Sequence, residues 1–406
     1  MAAAKSGLSQ KKVSSWRGLL AGALHEKLGQ SFDKAYETLG DVPADVLREF
    51  AQDFPGTMVV YSSKDMSVLQ TTTTPVALDH TAERADVTTL TTPAGTGKYA
   101  ERSLVFNRSI DLKQSSVHVT LMTSAGAASL VQLDRPPEGA LEGLSLVASL
   151  CDKQKEGEGE GEGAPHRKLK VLVLGGGGCS VPSFLYTTLK PDYPGLEVDV
   201  VELNREVCAV ARKYFGVAEL EERSRGAFRL HQQDALVYLR DMVRRGESVD
   251  MLVVDVEDGG FSLDAGGGGD GGSGKGVVEV QAPPQWLLSE DALASLAAAV
   301  CPGGSIAVNT LASPAGYEHV AAKLDRVCKA HNFGYSVCLP TPPADAHAHA
   351  ATETKTETER QRFYVSVKLK GVRKFALDEA VVEKLVRPDT RAHWLEALRG
   401  RHWYKL

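Results

Sequence analysis

KVLVLGGGG, residues 170–178, is the stretch on which the fold turns. Four apolar residues in succession after Lys170 make a strand buried on both faces, and the glycines then turn the chain sharply. A helix follows over 182–189, with Pro182 tolerated in its first turn. The same strand–helix alternation repeats downstream. EVDVVE (197–202), 228–231, VDMLVVD (249–255) and 305–309 read as strands, and 205–215, 235–245, 287–300 and 317–331 as helices. Such alternation, with near-continuous apolar strands, predicts a doubly wound, Rossmann-like α/β domain whose parallel sheet is covered on both faces. The last two strands, 335–339 and 362–369, have no helix between them, so they are expected to form an antiparallel pair at one edge. That hairpin departs from a plain dinucleotide-binding domain.

Around this domain, 165–370, the chain of 406 residues divides further. Residues 1–55 read as a helical, partly disordered segment, with Leu28, Phe32, Tyr36 and Leu39 on one face. Residues 56–150 carry short β-rich runs (TMVVYS, SLVF, SSVHVTLM, ASLVQL) separated by turn residues, a small β-rich N-terminal domain. A Glu/Gly linker over 151–164 has nothing to bury. Flexible insertions are expected at 263–276, around AGGGGDGGSGKG, and at 340–360, and a helical extension over 371–406. A net charge of −6 argues against a nucleic-acid partner, and no apolar run approaches the roughly 20 residues of a membrane span. The six cysteines lack zinc-finger spacing and read as reduced thiols, so no metal is expected and a cytoplasmic location is. The basic N-terminus, acid-free before Glu26, is read as an ordinary frayed end rather than an organelle transit peptide.

Open α/β sheets bind ligands at the carboxyl ends of their strands. Four features fall there: the run Gly175, Gly176, Gly177, Gly178; Glu202, followed by Leu203; Asp234 and Ala235; and Asp255, followed by Val256, Glu257 and Asp258. Glycines let a ligand lie against the backbone, and Glu202 is placed to accept both hydroxyls of a ribose. Asp234 either accepts from an adenine amino group or caps the next helix, or does both. A mouth lined by carboxylates suits a sulfonium and a cationic amine. A nicotinamide site does not fit, because Ser180 stands where the third glycine of G-x-G-x-x-G belongs; no Gly-Lys-Ser/Thr completes a P-loop, and neither G-x-S-x-G nor HExxH is present.

The run VLVLGGGGCSVPSFLY…VDVVELNREVCAVARKYFG…HQQDALVYL…VDMLVVDVED…QAPPQWLLSEDALASLAAAVCPGGSIAVNTL resembles the spermidine-synthase-like class I methyltransferases. It is most similar there to the C-terminal domain of the elongation factor 1-alpha lysine and N-terminal methyltransferases. RSLVFNRSIDLKQSSV (102–117) resembles the hairpin that precedes that domain, so the likeness covers roughly residues 98–370. It implies a class I methyltransferase sheet and S-adenosylmethionine as cofactor. The loop Gly175, Gly176, Gly177 and Gly178 would lie at the methionine and ribose, Glu202 with Leu203 at the ribose, Asp234 and Ala235 at the adenine, and Asp255 beside the transferred group. Asp255 and Asp258 are the catalytic candidates, Asp258 standing where the polyamine synthases carry the second acid of Asp-x-x-Asp. The implied partner is a protein substrate, a translation elongation factor among the candidates, and a homodimer is among the expected assemblies. Two other readings stay open: a polyamine aminopropyltransferase, and a non-catalytic scaffold on the same fold.

Overall fold

The computed structural model describes residues 57–62, 66–71, 98–106, 113–121, 130–137, 140–150, 168–257, 261–263, 278–340, 362–371, 377, 379–399 and 404–405. The expected N-terminal helical segment, the Glu/Gly linker, the interiors of both insertions and Asp258 lie outside the described residues. The chain divides into two compact units, the first drawn mainly from residues 1–135 with Lys213–Gly216 added, the second beginning at Pro136.

In the first unit, β1 (Thr57–Ser62), β2 (Met66–Thr71), β3 (Lys98–Phe106), β4 (Lys113–Leu121) and β5 (Leu130–Gln132) pair antiparallel in chain order. Along β4, Ser115, Val117 and Val119 are buried while Gln114, Ser116 and His118 are half-buried, the period of two expected of a sheet with one covered face. The strand β2, MSVLQT, is not marked in the sequence because the adjacent Val68 and Leu69 break its apolar–polar alternation.

The second unit opens with α1 (Ala140–Ser145) and a 3₁₀ turn over Leu146–Leu150. Its sheet contains β6 (Lys170–Leu174), β7 (Glu197–Glu202), β8 (Phe228–Gln232), β9 (Val249–Val254), β12 (Val300–Ala312), β13 (Phe333–Pro340), β14 (Arg362–Lys370) and β15 (Tyr404–Lys405). Two short strands, β10 (Phe261–Leu263) and β11 (Val278–Ala282), form a hairpin that flanks the glycine-rich insertion and joins β12 at Leu311 and Ala312. The strand order is β15-β13-β14-β12-β9-β6-β7-β8. Strands β6, β7, β8, β9 and β12 are parallel, and β14 runs antiparallel to both neighbours. This is a doubly wound, Rossmann-like α/β sheet, parallel but for its antiparallel edge strands.

The expected antiparallel pair is present, but it does not simply close the edge. Its return strand β14 inserts between β12 and β13, and β15 covers the outer side of β13. The inserted strand is as apolar as the parallel ones, with Val365, Val367 and Leu369 all at 0% exposure, so it gains more by burial between two strands than at a rim. The C-terminal extension is helical in α8 (Glu379–Leu385) and α9 (Arg391–Arg399) and then ends as a strand.

Helices α2 (Ser180–Leu189), α3 (Arg205–Tyr214), α4 (Val217–Ser224), α5 (Ala235–Arg244), α6 (Glu290–Ala299) and α7 (Pro314–Ala330) make the crossovers. Every residue of β9 is buried, including Asp250, which accepts the Lys170 N–H at 2.9 Å and faces the Cys301 thiol at 3.3 Å. No helix among the described residues is long and apolar enough to cross a membrane.

Glu142 of α1 ties the C-terminal extension to the unit. It has no exposed side-chain surface and accepts from the Arg387 backbone N–H and from Thr390 Oγ1 (2.7 Å), with the Arg387 guanidinium 3.5 Å away. Burial pushes its carboxyl above the usual carboxylate range, with Arg387 pulling the other way. Glu142→Ala leaves the buried Arg387 N–H without this acceptor and the Thr390 hydroxyl with only the Arg387 carbonyl at 3.2 Å. It is expected to cost about 2–4 kcal/mol, read as a lower urea midpoint at unchanged m-value.

Candidate functional site

The sheet reverses its order between β6 and β9, and there the strand ends are stitched side by side. Leu174 C=O accepts from Asp255 N–H (2.8 Å), Val201 C=O from Gly175 N–H (2.9 Å) and Glu202 C=O from Gln233 N–H (3.1 Å). Backbone bonds thus hold Asp255, Gly175, Glu202 and Gln233 in one row along the carboxyl edge, at the switch point where open α/β sheets bind their ligands. Gly175 has φ +86°, and a Cβ there would lie 1.9 Å from the Asp255 carbonyl oxygen. At Gly176 a Cβ would meet Val200 Cγ1 at 2.9 Å, so the loop rests directly on β7. Gly177 and Gly178 continue the loop to Cys179, the residue before α2.

Glu202 is half-buried and already engaged. Its Oε2 accepts from Gly176 N–H (3.1 Å) and Gly177 N–H (3.0 Å), and its Oε1 from Asn204 N–H (2.8 Å). A carboxylate offers about four acceptor positions. In this arrangement one position remains, on Oε1.

Leu203, next along, is 68% exposed, and Val237 in the first turn of α5 is 46% exposed. These are large apolar side chains left in solvent at the ends of two adjacent strands, β7 and β8, where a flat apolar ring would find cover. Asp234 caps α5, accepting the Val237 N–H at 2.9 Å, and Ala235 begins the helix, half-buried. The capping role of Asp234 is therefore present in the structure, and its second carboxylate oxygen projects from an exposed residue.

Asp255 follows β9 directly and is half-buried, and Asn309 of β12 donates Nδ2–H to its Oδ1 at 2.8 Å. Burial pushes the Asp255 carboxyl up to about 6; the Asn309 bond pulls it down and the Glu202 charge raises it. The two acids therefore sense one another across one site. Asn309 is 7% exposed and its own Oδ1 finds no partner among the described residues, a buried acceptor beside a half-buried acid. The sequence reading missed Asn309, although an Asn interrupting the apolar strand SIAVNTL next to the acid-tipped strand was a signal. It also missed Val237. Asp258, the second catalytic candidate, is outside the described residues; Glu257 is exposed.

No family model matches the sequence. A polyamine aminopropyltransferase of Vibrio vulnificus (strain CMCP6) is 24% identical over 153 residues, 38% of this chain, and the match spans 41% of that relative's length. Among solved structures, human methyltransferase-like protein 13 in complex with SAH is 18% identical with a TM-score of 0.34, covering 58% of this chain and 83% of that one. A probable spermidine synthase from Corynebacterium glutamicum ATCC 13032 is 14% identical with a TM-score of 0.41, covering 77% and 91%. A SAM-dependent methyltransferase from Agrobacterium tumefaciens is 16% identical with a TM-score of 0.34, covering 51% and 57%. The fold assignment rests on the sheet order itself.

Proposed function

We propose that the chain is an S-adenosylmethionine-dependent methyltransferase that N-methylates a protein amine, an N-terminal α-amine or a lysine, with a translation elongation factor as a candidate substrate. The observation that carries this reading is the pair Asp255–Asn309 at the switch point, in electrostatic contact with Glu202. The site residues fit the cofactor: Glu202 has an acceptor position left for a ribose hydroxyl, Leu203 and Val237 offer apolar cover for adenine, and the glycine loop admits close approach. The acids favour a cation. When bound, the cofactor supplies an electrophilic methyl group on a sulfonium.

The chain's own part is to present a nitrogen lone pair. Asn309 occupies Asp255 Oδ1, which leaves Oδ2 to accept from the amine, and Asn309 Oδ1 is a second acceptor beside it. Two acceptors fix the direction of two N–H bonds and so of the lone pair. An α-amine, with a pKa of about 7.7–8.0 against about 10.4 for lysine, loses its proton more readily near neutrality.

The match to an aminopropyltransferase favours one second reading, transfer of an aminopropyl group to a polyamine. Calorimetry with S-adenosylmethionine, S-adenosylhomocysteine and decarboxylated S-adenosylmethionine separates the possibilities. Micromolar binding of the first two supports the proposal. Preference for the decarboxylated nucleoside supports aminopropyl transfer, and no binding at millimolar concentration leaves a scaffold. Incubation with labelled cofactor and cell lysate then identifies the acceptor. Leu203→Ala is expected to weaken nucleoside binding about 3- to 10-fold, the loss of one half-covered apolar contact, with the melting temperature unchanged.

A further inference from the structure

We propose that Glu202 fills the anion-binding nest of the glycine loop with its own carboxylate, and so sets this site to admit an adenosyl group without phosphates and to reject nucleotides. The inference rests on the nucleoside reading of the site and goes beyond it to what the site excludes.

Successive backbone N–H groups aimed at one point form a nest of the kind that holds phosphate oxygens in other glycine loops. Here the N–H groups of Gly176 and Gly177 converge on a single atom, Glu202 Oε2, at 3.1 and 3.0 Å. The nest is therefore occupied by an anion that the chain itself carries. The loop lies against β7, where a Cβ on Gly176 would meet Val200 Cγ1 at 2.9 Å and Glu202 Cβ at 3.3 Å, so the two N–H groups are held close to the Glu202 side chain. The other carboxylate oxygen is held by Asn204 N–H at 2.8 Å. What Glu202 still offers is one acceptor position. A hydroxyl can donate to it. A phosphate oxygen cannot, and it is also repelled by Glu202 and by Asp255, the second acid of the row. One side chain thus performs two selections, for a ribose hydroxyl and against a phosphate, on a backbone loop that would otherwise serve a nucleotide.

The test is calorimetry of S-adenosylhomocysteine and ADP against the full chain and its Glu202→Ala and Glu202→Gln variants, with circular dichroism melts to establish folding. The wild-type protein is expected to bind the nucleoside about 100-fold or more tightly than ADP. Glu202→Ala is expected to lose about 10-fold or more in nucleoside affinity and to gain about 10-fold or more for ADP, the gain shrinking as salt rises. Glu202→Gln keeps an oxygen for the two N–H groups and removes only the charge, so its ADP gain is expected near 3-fold. Equal wild-type affinity for ADP and nucleoside overturns the proposal. So does a folded Ala variant with no ADP gain or, should that variant fail to fold, a Gln variant with none. The two readings fail separately. Wild-type binding of the nucleoside without an ADP gain in the variants sinks only the nest, whereas an ADP gain with no wild-type nucleoside binding sinks the methyltransferase reading and the selection for an adenosyl group, and keeps the exclusion of phosphate by Glu202.

Discussion

Gly175→Ala is expected to abolish nucleoside binding and to lower the melting temperature by about 10 °C. Two penalties combine at this position. The backbone sits at φ +86°, where a side chain costs roughly 1–2 kcal/mol. The new Cβ would also lie 1.9 Å from the Asp255 carbonyl oxygen, a backbone atom that cannot swing aside. Relief requires parting β6 from β9 at their carboxyl ends, which breaks the Asp255 N–H bond to Leu174 C=O. A total near 3–5 kcal/mol follows, and at about 2–4 °C per kcal/mol in a domain of this size it gives the stated shift. Gly226→Ala is the control. Its φ is +88°, yet nothing lies within 4 Å of the added Cβ. It should cost only about 1 kcal/mol and leave binding intact. Equal losses in the two variants, or nucleoside binding by the Gly175 variant at wild-type affinity, would mean that the contact between loop and Asp255 does not organise the site.

Why the sequence revealed this much, and no more, follows from what each residue has to satisfy. The run KVLVL is buried on both faces and has no reading other than a central strand, and VDMLVVD behaves the same way. Glu202 and Asp255 were legible because a parallel sheet places strand ends in a row whatever the loops do. The slot of β14 between β12 and β13 was not legible. A hairpin pattern fixes that two strands pair, while the choice of side depends on which neighbouring strand offers the larger apolar face, a long-range matter. Asn309 escaped because its meaning lies in a cross-strand neighbour 54 positions away, Asp255. The full acceptor shell of Glu202 escaped for a related reason: its partners are backbone N–H groups, which every residue but proline possesses and no letter of the sequence marks.

Asp255→Asn should raise stability and remove activity together. Burial holds the native carboxyl at about 6 against an ordinary value of 3.8. Between those two pH values the folded protein binds more protons at this position than the unfolded chain does. Stability therefore falls as pH rises through that window and stays low above it. The full shift corresponds to about 3 kcal/mol, and solvent reaching the half-buried group trims this to about 2 kcal/mol. Asparagine carries no charge to bury and still accepts the Asn309 amide, so the variant should be more stable by about that amount at pH 7.5, with the difference vanishing near pH 4. Methyl transfer should fall about 100- to 1,000-fold, the usual cost of losing a charged partner that orients the reacting group. In the wild-type protein the rate should fall about tenfold per pH unit below the pKa of the amine and steepen to about a hundredfold per unit below about pH 6, where Asp255 loses its charge, and the Asn variant should lack the second break. A stable gain with lost turnover is the mark of a residue kept for function at the expense of the fold. Should the variant transfer methyl groups at the wild-type rate, Asp255 is not at the reacting centre. Should it melt earlier at pH 7.5, the buried charge is held by more than Asn309, and the site is more polar than this geometry requires.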